Sequence, residues 1–338
     1  MSVRDSERGL RPGGPTQEAR SLPSGTRDVL PAEMAELRAI MDALREVFEW
    51  ADFGEIATPT LEYAEVLERG GGGAAEPAYR LFDQQGHVLA LRSDMTLPIA
   101  RVVATRYADA SMPLRFWYAA AAYRDVRPRR GQRRELLQAG IELIGVPAPE
   151  GTAETLIVLC TALEKVGLEH FRVGLGDAAL YPALLAAHGV PEAAHRPLLH
   201  ELATRDFVGL EREIGKLGLS AEESELLLMV PQLRGGAELL DAAGGAIAVA
   251  VEGLRAVHAE LPPTVAERVI FDLGLVRELG YYSGAIFDVY DPALGTPLGG
   301  GGRYDELLGR FGRSLPAVGF ALNVEQLHIA LTGEERTG

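Results

Sequence analysis

The chain has 338 residues, 47% of them hydrophobic and 24% charged, enough apolar material for one large domain with an insertion. Its formal net charge of −15 argues against a nucleic-acid-binding surface, which needs cations to displace counterions. No apolar run approaches the roughly 20 residues of a membrane span, and a single cysteine, Cys160, excludes an intramolecular disulfide framework.

Residues 1–22, rich in Arg, Gly, Pro and Ser, read as a loose arm rather than a signal peptide, so a cytoplasmic protein is expected. An amphipathic helix is predicted over 31–52. There Met34, Leu37, Ile40, Met41, Leu44, Val47 and Phe48 recur at three- and four-residue spacing, with Pro31 near the start. Ile56-Ala57-Thr58 reads as a short strand closed by Pro59, and Gly70–Gly73 as a loop. Tyr79–Arg92 predicts a hairpin around Gln85-Gly86, followed by a helix from Met95 to about Tyr107. Leu114–Tyr123 and Glu135–Gly145 are strands joined by an arginine-rich turn; a helix at about 152–166 and a strand at 170–175 follow. Residues 180–261 form a helical insertion with breaks at Pro191, Pro231 and Gly244-Gly245. Its His188, His195, His200 and His258 lack metal-ligand spacing. Strands resume at Val269–Asp272 and Tyr281–Tyr290. Gly299–Gly302 with Arg303-Tyr304-Asp305 predicts a tight turn into a helix, Ala317–Ala321 a buried strand, and Val324–Leu331 a last helix before a tail at 333–338. Without regular βαβ alternation the fold class is α+β: an antiparallel sheet flanked by helices, its core split between 23–179 and 262–332.

Charge is concentrated between Arg115 and Arg134, where seven arginines face one acid, Asp125; the segment carries +6 and the remainder −21. On the strand Glu135–Gly145, alternation puts Leu136, Gln138, Gly140, Glu142 and Ile144 on one face, opposite a wholly apolar one. Gln138 and Glu142 therefore line a wet pocket, pair with neighbours, or sit on a solvated outer face, with Arg124 the nearest candidate counter-charge. Asp94 and Thr96 stand where a strand gives way to a helix, so capping is the default role of Asp94 and contact with a ligand ammonium the alternative. Tyr281 and Tyr282, as neighbours entering a strand, point to opposite faces, so at most one reaches a given pocket; Arg277 is a surface cation or part of a site. Gly299–Gly302 offers backbone N–H groups to an anion at a helix start, or is simply a turn. A small zwitterion such as an amino acid suits the segment Arg115–Gly145.

Together these segments resemble the catalytic core of histidyl-tRNA synthetase, a class II synthetase, from Gly25 to Leu331. Gly25-Thr26-Arg27-Asp28-Val29-Leu30-Pro31 looks like that family's opening motif, and the helix–strand–Pro59 unit its dimer-forming motif 1. Tyr123-Arg124 through Gly131-Gln132-Arg133-Arg134-Glu135 to Gln138 and Glu142 looks like motif 2. Arg277 to Tyr282 matches the histidine-specific segment, and Gly301-Gly302-Arg303-Tyr304-Asp305 with Gly319-Phe320-Ala321 the approach to motif 3. The resemblance implies that Asp94 (the family has Glu), Thr96 and Gln138 hold a histidine ammonium, Glu142 and Tyr282 face its imidazole with Tyr281 nearby, and Arg124 and Arg277 neutralise its carboxylate. It implies no metal.

Three departures bear on activity. Val126 replaces the family's adenine-reading Glu, Gln132 an ATP-contacting arginine, and Gln326 the motif 3 arginine that grips phosphates. The sequence ends twelve residues after Gln326, so no anticodon-binding domain is expected. This combination resembles the regulatory-subunit family of ATP phosphoribosyltransferase. It implies no catalytic residue, no cofactor, a homodimer within a hetero-oligomer, a short-form catalytic subunit as partner, and histidine as the feedback effector in the first step of histidine biosynthesis. The alternative is a synthetase-like enzyme that forms histidyl-adenylate for a non-tRNA acceptor, using Arg124 and Arg303 on the phosphates.

Overall fold

The computed structural model describes residues 22–70, 78–125, 133–242, 245–277 and 280–337. In chain order the first half comprises α1 (Pro31–Trp50), β1 (Gly54–Glu55), β2 (Leu61–Tyr63), α2 (Ala64–Glu68), β3 (Arg80–Phe82), β4 (Val88–Leu91), α3 (Thr96–Arg106), β5 (Leu114–Tyr123), β6 (Glu135–Ile144), α4 (Glu150–Val166) and β7 (Arg172–Asp177). The insertion follows with α5 (Leu180–Ala187), α6 (Glu192–Ala203), α7 (Phe207–Gly215), α8 (Ala221–Met229), β8 (Arg234–Gly235), α9 (Glu238–Ala242) and α10 (Ala248–Ala259). The chain closes with α11 (Pro263–Ala266), β9 (Val269–Asp272), β10 (Ala285–Tyr290), β11 (Gly299–Arg303), β12 (Ala317–Asn323) and α12 (Val324–Thr337).

One nine-stranded sheet, ordered β1-β5-β6-β12-β11-β10-β7-β9-β8, organises these elements, beside a three-stranded sheet β2-β4-β3. From β5 to β7 every neighbour is antiparallel. The edges add parallel pairs, β1 with β5 and β7 with β9, so the sheet is mixed. Each strand of the antiparallel centre has two chemically different faces. Trp117, Ala139, Ile141, Leu143, Val318, Phe320, Phe287 and Leu175 turn to one side, where α1, α4 and the insertion bury them in the main core. Phe116, Tyr118, Ile144 and Ala317 turn to the other, against α3, Tyr304 and the turn Leu308–Phe311.

Local chemistry accounts for the framing helices. On α1 the buried side chains are Leu37, Ile40, Leu44, Val47 and Phe48, one stripe at helical spacing, with Pro31 in the first turn. The helix α4 is buried on most sides and ends at Gly167, whose φ of 105° is the left-handed conformation glycine adopts cheaply. Cys160 lies in its core, where burial pushes the thiol up to about 12, so it packs and does not react.

Three expectations need correction. The first strand is Gly54–Glu55 rather than Ile56–Thr58, because Ile56 is already the last residue to bond β5, donating to Trp117 O at 2.9 Å. The strand expected from Tyr281 starts only at Ala285, so Tyr281 and Tyr282 precede the alternation and their rings lie together, centroids 4.9 Å apart. Gly299–Gly302 is neither a turn nor a helix start: it is strand β11, and its amides belong to the ladders with β10 and β12. A Cβ at Gly301 would collide with Gly319 O, and one at Gly299 with Ala321 O, so only glycine lets these strands approach. Among the described residues, no helix is long and apolar enough to cross a membrane.

Candidate functional site

The glycine strand leaves one face of the sheet bare at its centre, and charged side chains lie across it. Strand register sets two rows on this face: Phe116, Glu142, Gly319 and Gly302 in one, Tyr118, Gly140, Ala321, Gly300 and Asp288 in the next. The Glu142 carboxylate lies over Gly319, where an added Cβ would strike Oε2. Arg277 and Asp288 lie over Gly300, where a Cβ would strike Nη2 of one and Oδ1 of the other. Gly319 and Gly300 stand on adjacent strands two residues out of register. With strands about 4.8 Å apart and a rise of about 3.4 Å per residue, the two charged heads are about 8 Å apart, the scale of an amino acid.

Glu142 forms the dry end. It is 1% exposed, accepts Thr96 Oγ1 at 2.6 Å on Oε1, and accepts the Tyr304 hydroxyl on Oε2. Both partners are neutral, so desolvation dominates and raises its pKa to about 7, against the pull of those two bonds and with Asp94 adding to the rise. Arg124, the expected counter-charge, instead favours the ionised form of Asp94, whose pKa burial nevertheless raises. Asp94 caps α3, its Oδ1 accepting Leu97 N–H at 2.9 Å, so the capping role holds while the same carboxylate faces the site. Tyr118, Tyr281 and Tyr304 are buried around the two carboxylates, and burial holds all three phenols protonated.

Arg277 forms the opposite end. Its Nη2 donates to Asp288 Oδ1 and to Phe287 O at 3.1 Å, while the guanidinium lies 5.6 Å from the Tyr282 ring centroid. Its Nε is buried without a hydrogen-bond partner, as is Gln138 Oε1 on the neighbouring row: an orphaned donor and an orphaned acceptor that a zwitterion would satisfy. Gln138, Arg124, Arg277 and Tyr282 are half-buried, whereas Glu142, Tyr281 and Tyr304 are buried, so the face grades from a dry floor to a wet rim. Contacts thus link seven of the eight expected residues, Asp94, Thr96, Arg124, Glu142, Arg277, Tyr281 and Tyr282, while Gln138 stands on the same face of β6 four residues from Glu142. Tyr304 and Tyr118 belong with them and were not anticipated as site residues, although Tyr304 stands in the Gly-Gly-Arg-Tyr-Asp signature.

Beside this face, the described cations Arg27 and Arg133 are paired with acids. Glu325 Oε1 accepts from Arg27 Nη2 at 2.7 Å and from Arg133, and Arg27 also pairs with Glu33. Gln326 donates to Thr296 Oγ1 at 3.4 Å. Arg303 is 2% exposed and donates to Asp305 at 2.7 Å, to Thr152 Oγ1 at 3.3 Å and to Val146 O at 3.1 Å, leaving it facing inward. Arg115 pairs with Glu154 and is structural. Val126, Gln132 and the turn arginines 127, 129 and 130 lie outside the described residues. No cluster of three or more His, Cys, Asp or Glu able to hold a metal ion occurs among the described residues. An open hollow on the insertion, lined by Leu228, Met229 and Leu233 with Glu225, lacks an opposing cation.

The histidyl-tRNA synthetase family model matches residues 25–327. The chain is 42% identical over 316 residues to an ATP phosphoribosyltransferase regulatory subunit of Symbiobacterium thermophilum, covering 91% of this chain and 79% of that protein. Among solved structures it is similar to an ATP phosphoribosyltransferase regulatory subunit/histidyl-tRNA synthetase from Bacillus halodurans C, with a TM-score of 0.84, 33% identity, and 92% and 83% of the two chains covered. A histidine–tRNA ligase subunit from Alicyclobacillus acidocaldarius gives a TM-score of 0.79 at 30% identity, covering 93% and 98%.

Proposed function

This chain belongs to the histidyl-tRNA synthetase family, among its ATP phosphoribosyltransferase regulatory subunits, and from that premise we propose that it activates a short-form ATP phosphoribosyltransferase catalytic subunit and relays feedback inhibition by histidine. Its role is regulatory and lies in histidine biosynthesis; the first step of that route is the point of control. One observation carries the reading. A carboxylate hydrogen-bonded only by neutral groups and a guanidinium lie over neighbouring glycines of the sheet, while Arg27 and Arg133 beside them are paired with Glu325.

Histidine fits the first of these regions, and in the second Arg27 and Arg133 are already paired with Glu325 among the described residues. We assign the histidine ammonium to Asp94, Thr96 and Gln138, the imidazole to Glu142 and Tyr282 with Tyr281 alongside, and the carboxylate to Arg124 and Arg277. Charge-assisted bonds in a partly dry site are the strong ones. The chain itself makes no bond. It acts as a homodimer within a hetero-oligomer, and histidine changes the partner's activity through a coupling energy of about 1–3 kcal/mol. The adenylate-forming alternative puts Arg124 and Arg303 on the phosphates, and the inward bonds of Arg303 count against its part in that.

The test mixes this chain with a short-form catalytic subunit. Turnover is expected only with both chains present and falls when histidine is added. Histidine-dependent ATP–pyrophosphate exchange by this chain alone would overturn the reading in favour of an adenylate-forming enzyme.

A further inference from the structure

A ring of polar contacts joins the guanidinium end of the site to the helical insertion. Asp288 accepts from Arg277 on one carboxylate oxygen and from the Tyr290 hydroxyl, at 3.3 Å, on the other. Tyr290 follows two residues along the same face of β10, lies across Gly174, and has the Arg205 guanidinium as its electrostatic partner. Arg205 Nη2 donates to Asp272 Oδ2 at 2.9 Å, and that oxygen also accepts Arg234 Nε at 2.9 Å. The second oxygen of Asp272 holds the Gly274 amide at 3.0 Å, in the turn that leads directly to Arg277. The ring therefore closes: Arg277, Asp288, Tyr290, Arg205, Asp272, and back along the backbone.

Two features make Arg205 the responsive member. It occupies the corner between α6 and α7 with φ 58°, a left-handed conformation that a non-glycine residue keeps only when its surroundings fix it. Its Nη1 is buried without a hydrogen-bond partner, so a donor is available for a new acceptor. The neighbouring Asp206 caps α7 by accepting Gly209 N–H at 2.8 Å, so a shift of Arg205 carries the helix start with it.

We propose that Arg205 reads the occupancy of the ligand site: a ligand carboxylate that draws Arg277 from Asp288 leaves Asp288 to Tyr290 and Arg205, and the α6–α7 corner tightens onto the sheet. A half-buried carboxylate deprived of its cation needs a replacement, and Arg205 offers one through Tyr290. The ligand can shift the corner only by such differential contacts, and the ring supplies a contiguous route for them. This inference rests on the assignment of histidine to Arg277 and names the element that carries the signal out.

The experiment is amide hydrogen exchange over residues 196–212, with and without free histidine, in the wild-type chain and in Tyr290→Phe, with calorimetric titration of histidine into both. Both chains are expected to bind histidine, and the ligand slows exchange at the corner severalfold in wild type but not in Tyr290→Phe. Arg205→Gln gives the same loss of response and guards against a folding defect peculiar to the first variant. Histidine binding with an unresponsive wild-type corner, or a full response in Tyr290→Phe, overturns the inference alone. Absence of calorimetric binding to wild type removes the histidine reading and this inference with it.

Discussion

The two ends of the site differ in how their charge is kept before any ligand arrives. Glu142 is dry, hydrogen-bonded by the neutral Thr96 and Tyr304 hydroxyls, and burial lifts its pKa to about 7, with Asp94 adding to the rise. Arg277 is half-buried and already neutralised by Asp288. One end lacks a partner and the other must exchange one. A cationic ligand group stabilises the first end directly, whereas an anionic group at the second displaces a protein carboxylate. For the proposed histidine, binding free energy would collect at Glu142 and rearrangement would be released at Arg277.

Substitutions separate the two ends. The largest effect is expected from Gly319→Ala, whose Cβ would meet both the Glu142 carboxylate and Ile141 O in the middle of the sheet. It should cost at least about 3 kcal/mol in denaturant unfolding, and an unchanged midpoint would mean that the acidic end is looser than described.

Next comes pH. Glu142 in the empty chain has its pKa raised from 4.5 to about 7, so the folded state holds its proton more tightly than the unfolded chain does. Its contribution to stability is full below the unfolded pKa and is lost as pH rises through the folded one. Glu142→Gln should therefore flatten stability across that window, by about 2–3 kcal/mol. Urea melts of the two chains at pH 5 and pH 8 check this; parallel pH dependence would contradict it.

Glu142→Ala comes third: histidine affinity measured by calorimetry should fall about 30-fold, roughly 2 kcal/mol for a lost charge-assisted contact, and feedback inhibition should be relieved. The smallest effect is expected at the other end. Arg277→Lys keeps the charge but loses the planar fork, and should weaken histidine by about fivefold. A larger loss than at Glu142 would reverse the ranking of the two ends.

Sequence reading captured much of this. The apolar runs of β5 and β6 and the stripe on α1 were legible because burial on a sheet or helix face imposes a period. Placing Gln138 and Glu142 on a separate face followed from the same rule. The glycine strand was not legible, since a run without side chains has no period and carries the signature of a turn; what makes it a strand is the closeness of β10 and β12. The tyrosine pair was misplaced because the aromatic run from Tyr281 to Tyr290 contains Ser283-Gly284, and the ladder begins only after it. Tyr304 reaches Glu142 from 162 residues away, a contact that no local pattern encodes. The same holds for Arg205 and Asp272, which are 67 residues apart.

The bare strand has one further consequence. Most binding hollows are outlined by side chains, which can swing inward when the occupant leaves. Over Gly300 and Gly319 the room left by the missing side chains is instead taken by Arg277, Asp288 and Glu142, and beneath them lies hydrogen-bonded backbone with no rotamers to lose. Such a floor keeps its shape whether filled or empty, so the entropy of forming it is spent during folding rather than at each encounter. The histidine sensor proposed above would gain from that arrangement: its backbone platform is already in place, and only the charged side chains lying on it need to move.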